Sequence, residues 1–447
     1  MKRSATVLLW FYRALYPFAL LIGAPFYLRR MWRRGGYAQG FAQRFGVVPV
    51  LPARRDGVRV WLQAVSVGEL LAVAPLLEAW AREGYEVYLT TTTSTGYQLA
   101  RERYAALTIG IAYLPLDWWP FSRKAWAAIQ PDLALLMEGE RWPEHIAQAA
   151  KRGVPVACLN ARLSDRSFSR MLRCRWALRA LFGGITQILA CSEEDAQRFR
   201  ALGFAAERVA TTGNIKLDVA VPVLGAEEKA KLRAELGFPP AGSRSFVLMG
   251  ASTWPGEEAV LIDTLKRVRA AGIACSLLLV PRHAERRGEV VELLRESGLK
   301  YRMRSVYLNE AQRDLEQVDI SLADTTGELQ RLLQVADLVF VGKSLPPHTE
   351  GQTPVESAIL GRPILFGPGM RNFRQIAREL LDCGAARVVE DGQRLATEVC
   401  ELLRDSEQRV EMGTAGRAWH AQNVGAVERT LEAVSALFTK SKSRVIR

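Results

Sequence analysis

The residues best placed to do chemistry lie in short turns that follow β-rich runs. Ser66-Val67-Gly68-Glu69 closes one such run and opens a helix. A carboxylate in a helix's first turn is favoured by the dipole, so Glu69 reads either as a helix-start carboxylate or as a general base at a ligand site. Gly68 lets a ligand approach the backbone. The turn Met137-Glu138-Gly139-Glu140-Arg141-Trp142-Pro143 carries two acids two residues apart, which alternation points to one side if the chain stays extended. Pro143 suits a first helical position, so a capped helix start is the alternative, weakened by two acids at a strand's carboxyl end. Asn160-Ala161-Arg162-Leu163-Ser164 offers Arg162 as an anion clamp, and Gly213-Asn214-Ile215-Lys216 offers Lys216 for a phosphate or a sugar carboxylate.

The second half repeats the pattern. Gly250-Ala251-Ser252-Thr253 precedes Glu257-Glu258 and reads as an anion-binding turn at Ser252. Pro281-Arg282-His283 supplies an arginine able to stack on a base or hold phosphate. Asp324-Thr325-Thr326-Gly327-Glu328 and Gly342-Lys343-Ser344 follow two further apolar runs, and Thr353-Pro354-Val355-Glu356 opens a helix. A helix start for phosphate with a carboxylate for ribose hydroxyls makes a nucleotide pocket. Neither G-x-x-x-x-G-K-[ST] nor G-x-G-x-x-G occurs, which disfavours P-loop and dinucleotide chemistry.

The elements that must hold these turns alternate. Strands are expected at Val58–Val65, Glu86–Thr92, Ile111–Leu114, Leu133–Met137, Val154–Leu159, Gln187–Ala190 and Val209–Thr212, with helices at Glu69–Glu83, Ser94–Tyr104, Trp142–Lys151, Ser167–Leu181 and Glu193–Leu202. A Pro- and Gly-rich break around Val221–Gly225 and Phe238–Gly242 separates this half from a second series. That series runs through Phe246–Gly250, Cys275–Val280, a strand at Ser305–Tyr307, Ile320–Ala323, Leu338–Val341 and Ile364–Phe366, then helices to Phe438. The expectation is an α/β chain of two domains around a cleft, residues 51–220 and 221–447, after an N-terminal segment 1–50. Ligands in open α/β sheets lie beyond the carboxyl ends of the strands, where these turns fall.

Charge is uneven along the 447 residues. Residues 1–55 hold ten basic residues and no acid, and the last eight hold four more; removing these from the net +13 leaves 56–439 at −1. A nearly neutral body with basic ends argues against a nucleic-acid stripe and favours an anionic membrane surface. Residues 5–28 are apolar except for Arg13, and Arg29, Arg30, Arg33 and Arg34 follow. No small-residue cleavage site precedes these arginines, against a secretory signal. A spanning anchor, with Arg13 snorkelling or facing protein, and an interfacial helix both remain open, as does an N-terminal core helix. In the membrane readings residues 29–55 lie against head groups, and the body is cytoplasmic by the positive-inside tendency. Six scattered cysteines and four histidines, with no C-x-x-C and no H-E-x-x-H, suggest neither a disulfide framework nor a metal centre.

Taken in order, the blocks WLQAVSVGE, TTTSTG, MEGERWP, NARLSDRS, GNIKLD, ASTWPGEE, VPRHAER, DTTGEL, ADLVFVGKSL and TPVESAILGRPILFGP resemble the 3-deoxy-D-manno-octulosonic acid (Kdo) transferases over nearly the whole chain. The resemblance implies a GT-B glycosyltransferase of two Rossmann-like domains, the first for acceptor and the second for nucleotide, associated with the cytoplasmic side of an inner membrane. It implies CMP-Kdo as donor, a lipid A precursor as acceptor, an inverting reaction, and no metal or cofactor. By the same carry-over Glu69 is the general base, and Glu138 and Lys216 stabilise the transition state. Pro281, Arg282, Thr326, Gly327, Glu328, Thr353, Pro354, Val355 and Glu356 hold CMP or its ribose and phosphate. Ser66, Gly68, Glu140, Arg162, Ser252 and Lys343 are further candidates. The chain departs from the family at Lys343, where glycine is usual, at Glu350-Gly351-Gln352-Thr353, and at Arg141, where an apolar residue is usual. Two rival readings are a GT-B enzyme using a UDP-sugar and a catalytically idle nucleotide-sugar-binding protein.

Overall fold

The computed structural model describes residues 3–34, 40–219, 221–240, 243, 245–309 and 316–445. Lys2, Arg447 and the Ala241-Gly242 end of the expected break lie outside these, as do the side chains of Arg30, Arg33, Arg34, Lys440, Lys442 and Arg444. The chain forms two compact units, Met1–Asp218 with Val424–Arg447, and Val219–Asn423.

In the first unit, β1 (Arg59–Gln63), β2 (Glu86–Thr91), β3 (Gly110–Tyr113), β4 (Leu133–Met137), β5 (Val156–Ala161), β6 (Gln187–Ala190) and β7 (Val209–Thr211) form a sheet of order β3-β2-β1-β4-β5-β6-β7. Every pairing is parallel. The central strand β4 reads LALLM without a polar residue because helices cover both of its faces. Leu133, Leu135 and Met137 pack with Val60 and Leu62 on one face, while Ala134 and Leu136 pack with Trp61 and Trp126 on the other. Truncating the fully buried Leu135 to alanine would cost about 2–5 kcal/mol.

The second unit repeats the architecture with β8 (Phe246–Thr253), β9 (Cys275–Pro281), β10 (Tyr301–Met303), β11 (Ile320–Leu322), β12 (Leu338–Val341), β13 (Ile364–Phe366) and β14 (Ala386–Val388). Its order is β10-β11-β9-β8-β12-β13-β14, again parallel throughout. Strand order therefore switches between β1 and β4 in one sheet and between β8 and β12 in the other. Those are the positions where open sheets leave room for ligands.

Several expectations are corrected. The helix Trp119–Ile129, entered by proline in its first turn, fills a stretch read as connection. Ser305–Tyr307 belongs to a helix, Arg304–Asn309, and the strand is the preceding Tyr301–Met303. β14 lies in a region expected to be all helix. The last helix, Ala426–Val445, belongs to the first unit, so the second ends at Asn423 rather than 447. That return is fixed where Asp218 accepts from the backbone N–H groups of Gly425 (2.8 Å) and Val427 (2.6 Å).

The N-terminal helix runs unbroken from Arg3 to Arg34 despite Pro17 and Pro25. Its stretch Ala5–Arg29 is long and apolar enough to cross a membrane, with mean hydropathy 1.6. Arg13 faces protein: it pairs with the fully buried Glu144 at 2.7 Å. The expectation that residues 29–55 all meet head groups fails at Arg44, which is buried and donates to the Thr92 carbonyl at 2.7 Å. Arg54 is likewise bound to Asp132.

Candidate active site

In the first unit the switch-point turns gather a cluster of acids and bases. Ser66 caps the helix Val67–Ala72, accepting from the Glu69 N–H at 3.3 Å, and Glu69 reaches back to the Ser66 hydroxyl at 3.1 Å. The second Glu69 oxygen accepts from the Val65 N–H at 2.8 Å. The capping role and the functional role therefore fall on one residue. Glu69 is only 7% exposed. Burial raises its pKa, the Val65 N–H works against that, and the Glu138 charge adds to the rise. A carboxylate whose pKa is raised in this way is a stronger base than a solvated one. Gly68 is exposed, and a Cβ there would meet nothing closer than the Ser66 hydroxyl at 3.9 Å, so the turn is open to an incoming group.

Glu138 follows β4 with φ +50°, in the left-handed region. Alternation therefore does not carry through to Glu140, and the chain turns instead. Glu138 binds the Lys216 ammonium and lies 3.5 Å from the Arg162 guanidinium. Lys216 is presented by Asn160 and Asn214. The Asn160 side chain accepts from the Ile215 N–H, and the Asn214 side chain from the Lys216 N–H, both at 3.1 Å. Glu140 has its pKa pushed up to about 7, first by burial and then by the Glu69 charge. Three carboxylates and two cations thus share one electrostatic field. Arg141, the departure from the apolar type, packs its guanidinium over the Phe199 ring at 5.6 Å.

In the second unit Ser252 and Lys343, at the ends of β8 and β12, have φ +56° and +58°. Of the five described non-glycine residues with positive φ, only Gln130 lies away from a candidate turn; Glu138, Asn160, Ser252 and Lys343 do not. Such backbone costs about 1–3 kcal/mol per residue and gathers at ligand sites. Close approach explains Gly342: a Cβ there would sit 2.5 Å from the Ser252 carbonyl oxygen.

The backbone N–H groups of Lys343 and Ser344, in the turn Gly342-Lys343-Ser344, are not free for a phosphate. Glu257 occupies them, accepting from Lys343 (2.7 Å), Ser344 (2.9 Å) and Leu345 (3.1 Å), and from Trp254 at 2.9 Å. A built-in carboxylate stands where an anion was expected. Lys343 instead sends its ammonium over the Trp254 ring at 4.0 Å and toward Glu350. Trp254 packs edge-on against His283 and His348. Beside it, the fully buried Glu258 binds Thr253 and Arg286, each at 2.8 Å.

The other candidates divide. Pro281 is buried at the end of β9, and Arg282 is exposed with its charge felt by Glu356. Glu356 is largely buried; burial raises its pKa, and Thr353 donates to it at 3.2 Å. The helix there starts at Val355, after Pro354, rather than at Thr353. Thr326 and Gly327 are exposed. Both oxygens of Glu328 bind the buried Arg304 at 2.7 Å. Burial alone would raise the Glu328 pKa, but the Arg304 and Thr325 hydrogen bonds outweigh it and hold the carboxyl low. Sequence reasoning missed the role of Glu257. Its only signal was the acidic pair 257–258 opening a helix.

The family profile described as 3-deoxy-D-manno-octulosonic-acid transferase (kdotransferase) matches residues 39–219. The 3-deoxy-D-manno-octulosonic acid transferase of Bordetella pertussis is 35% identical over 94% of this chain and 98% of its own. That of Haemophilus influenzae is 31% identical over 89% of this chain and 91% of its own. Among solved structures, UDP-GlcNAc 2-epimerase from Neisseria meningitidis bound to UDP-GlcNAc aligns with a TM-score of 0.57 at 14% identity, covering 85% of this chain and all of that one; this likeness is one of fold.

Proposed function

The chain belongs to the 3-deoxy-D-manno-octulosonic acid transferase family, a glycosyltransferase on a GT-B-like fold, and from that membership we propose that it transfers Kdo from CMP-Kdo to a lipid A precursor. The observation that carries the chemistry is the buried Glu69 carboxylate, held by Ser66 and the Val65 N–H within the field of Glu138 and Lys216.

In this reading Glu69 takes the proton of an acceptor hydroxyl as that oxygen attacks the anomeric carbon, and CMP leaves with the electrons of the broken bond. Direct displacement inverts the anomeric centre. Positive charge develops on the donor sugar as the bond to phosphate lengthens, and Glu138 stabilises it. Lys216 and Arg162, both gathered by Glu138, supply the cations for the donor's negative groups. The second unit holds the nucleotide. Arg282, Lys343 and the exposed Thr326-Gly327 turn meet CMP directly, while Glu328 and Glu257 act by holding Arg304 and the 343–345 turn in place. The Thr353–Glu356 segment, with Pro281 behind it, takes the ribose. We propose that the charge on the donor's negative groups is met by Lys216 and Arg162 without a metal.

The apolar stretch Ala5–Arg29 and the arginines after it support association with the cytoplasmic face of an inner membrane, where a phosphorylated lipid acceptor would lie. Calorimetric titration of the purified protein with CMP and with UDP tests the donor class. Saturable binding of CMP with weak or no binding of UDP is expected. Preference for UDP would point to a UDP-sugar enzyme.

A further inference from the structure

The N-terminal helix docks on the first unit between Ala5 and Tyr16 and again at Tyr27 and Met31. Ala5, Leu9 and Met31 are 7%, 6% and 6% exposed, and between them the polar contacts recur at helical spacing. The Tyr12 hydroxyl donates to Asp117 at 2.8 Å, Arg13 is bidentate on Glu144, and the Tyr16 hydroxyl accepts from the Asp117 N–H at 3.2 Å. Trp118 donates to the Arg13 carbonyl at 3.1 Å, and Arg44 donates to the Tyr27 hydroxyl at 3.2 Å. From Ala5 to Met31 these contacts extend about 39 Å at 1.5 Å per residue, longer than the ~30 Å hydrocarbon core of a bilayer.

A helix that spans cannot keep these contacts. Asp117 and Glu144 belong to the body of the first unit, and their partners lie in the middle of the apolar stretch. Spanning would bring that body, with its sheet and buried charges, into hydrocarbon. The opposite face of the helix remains bare: Trp10, Phe11, Phe18, Leu21, Ile22 and Phe26 are 59–82% exposed. One stripe bound to protein and one apolar face uncovered is the pattern of a helix lying in the membrane plane.

A second element adjoins it. The helices Asp165–Arg173 and Arg175–Phe182 leave Leu172 and Trp176 40% and 68% exposed among the exposed Arg170, Arg173, Arg175 and Arg179. Trp176 and Arg179 line one cavity of about 760 Å³ with Ala5 and Leu9 of the first helix. An exposed tryptophan among arginines, beside the N-terminal helix, suits the head-group layer of an anionic leaflet.

We propose that this protein is monotopic: the Arg3–Arg34 helix lies in the plane of one leaflet, docked on the first unit, and the 165–182 helix pair is a second contact with anionic lipid. This rests on the membrane association proposed above and adds its geometry. The test uses the full chain with one protease-cleavable tag before Met1 and another after Arg447, in sealed membrane vesicles. A membrane-bound protein whose two tags are cleaved from the same side is expected. A bound protein with one tag protected until detergent is added would mean that the helix spans and would overturn the proposal. Recovery in the soluble fraction would overturn membrane association itself. For the helix pair, the Arg173→Gln/Arg175→Gln/Trp176→Ser variant, checked for unchanged circular dichroism, should bind phosphatidylglycerol vesicles at least about tenfold more weakly. Unchanged affinity would remove the pair from the contact.

Discussion

The Lys216 ammonium is bonded to the Glu138 carboxylate, although the two residues lie 78 positions apart, on turns after different strands of one sheet. The strained backbone at Glu138 and the side chain of Asn160 bring them together. Neither partner is free to act alone. Glu138→Gln and Lys216→Met should each lower kcat by about 10²-fold, in the range of a lost transition-state contact. The double variant should lose much less than the product of the two, because each single change already breaks the pair. Multiplicative losses in single-turnover rates would show that the two act independently.

The acidic limb of the kcat/KM profile should report Glu69 deprotonating. Burial and the Glu138 charge both raise its pKa, and Lys216 lowers it. Removing the Glu138 charge should move the limb to lower pH, and removing the Lys216 charge should move it to higher pH. Rate profiles of residual activity check both signs. Shifts in the same direction would assign the limb to another group.

Glu140 ionises in the fold near pH 7, against 4.5 for an ordinary glutamate. The native state therefore binds its proton more tightly than the unfolded chain. Its contribution is fully present below about 4.5 and is lost as pH rises through about 7. Glu140→Gln should stabilise the protein above that range by roughly 1–2 kcal/mol, discounted for its partial exposure, and flatten the slope between. Denaturant melts at pH 5 and pH 8 measure this, and a variant less stable than wild type at pH 8 would contradict it.

Glu257→Ala should be costly to the second unit, since four backbone N–H groups lose their acceptor at once. A loss of roughly 3 kcal/mol or more is expected, together with loss of CMP binding. Lys343→Ala should melt almost as wild type and bind CMP about tenfold more weakly. Thermal melts paired with calorimetry separate these two roles.

Much of this was legible in the sequence, for identifiable reasons. β4 is an unbroken apolar run, and β9 is one apart from Ser276, because both faces of their sheets are covered, and Ser66 and Glu69 carry the spacing of a helix cap. What escaped reading depends on distant partners. Nothing local marks Glu257 as the acceptor for residues 343–345, or Arg304 as the owner of Glu328. Nor does the apolar N-terminus announce that Arg13 will meet Glu144, 131 residues on. The return of Ala426–Val445 to the first unit likewise depends on distant partners: Asp218 holds its start, and Ala426, Val434 and Leu437 enter the core beneath the first sheet.

The most direct test of the account is transfer itself. Purified protein in lipid vesicles would be incubated with CMP-Kdo and a lipid A precursor, and the lipid followed by mass spectrometry beside the Glu69→Gln variant. The account predicts a precursor heavier by whole Kdo residues with wild type, with CMP released in equal amount, and an unchanged precursor with Glu69→Gln that still binds CMP. A precursor of unchanged mass with wild type, or comparable transfer by folded Glu69→Gln, would contradict it.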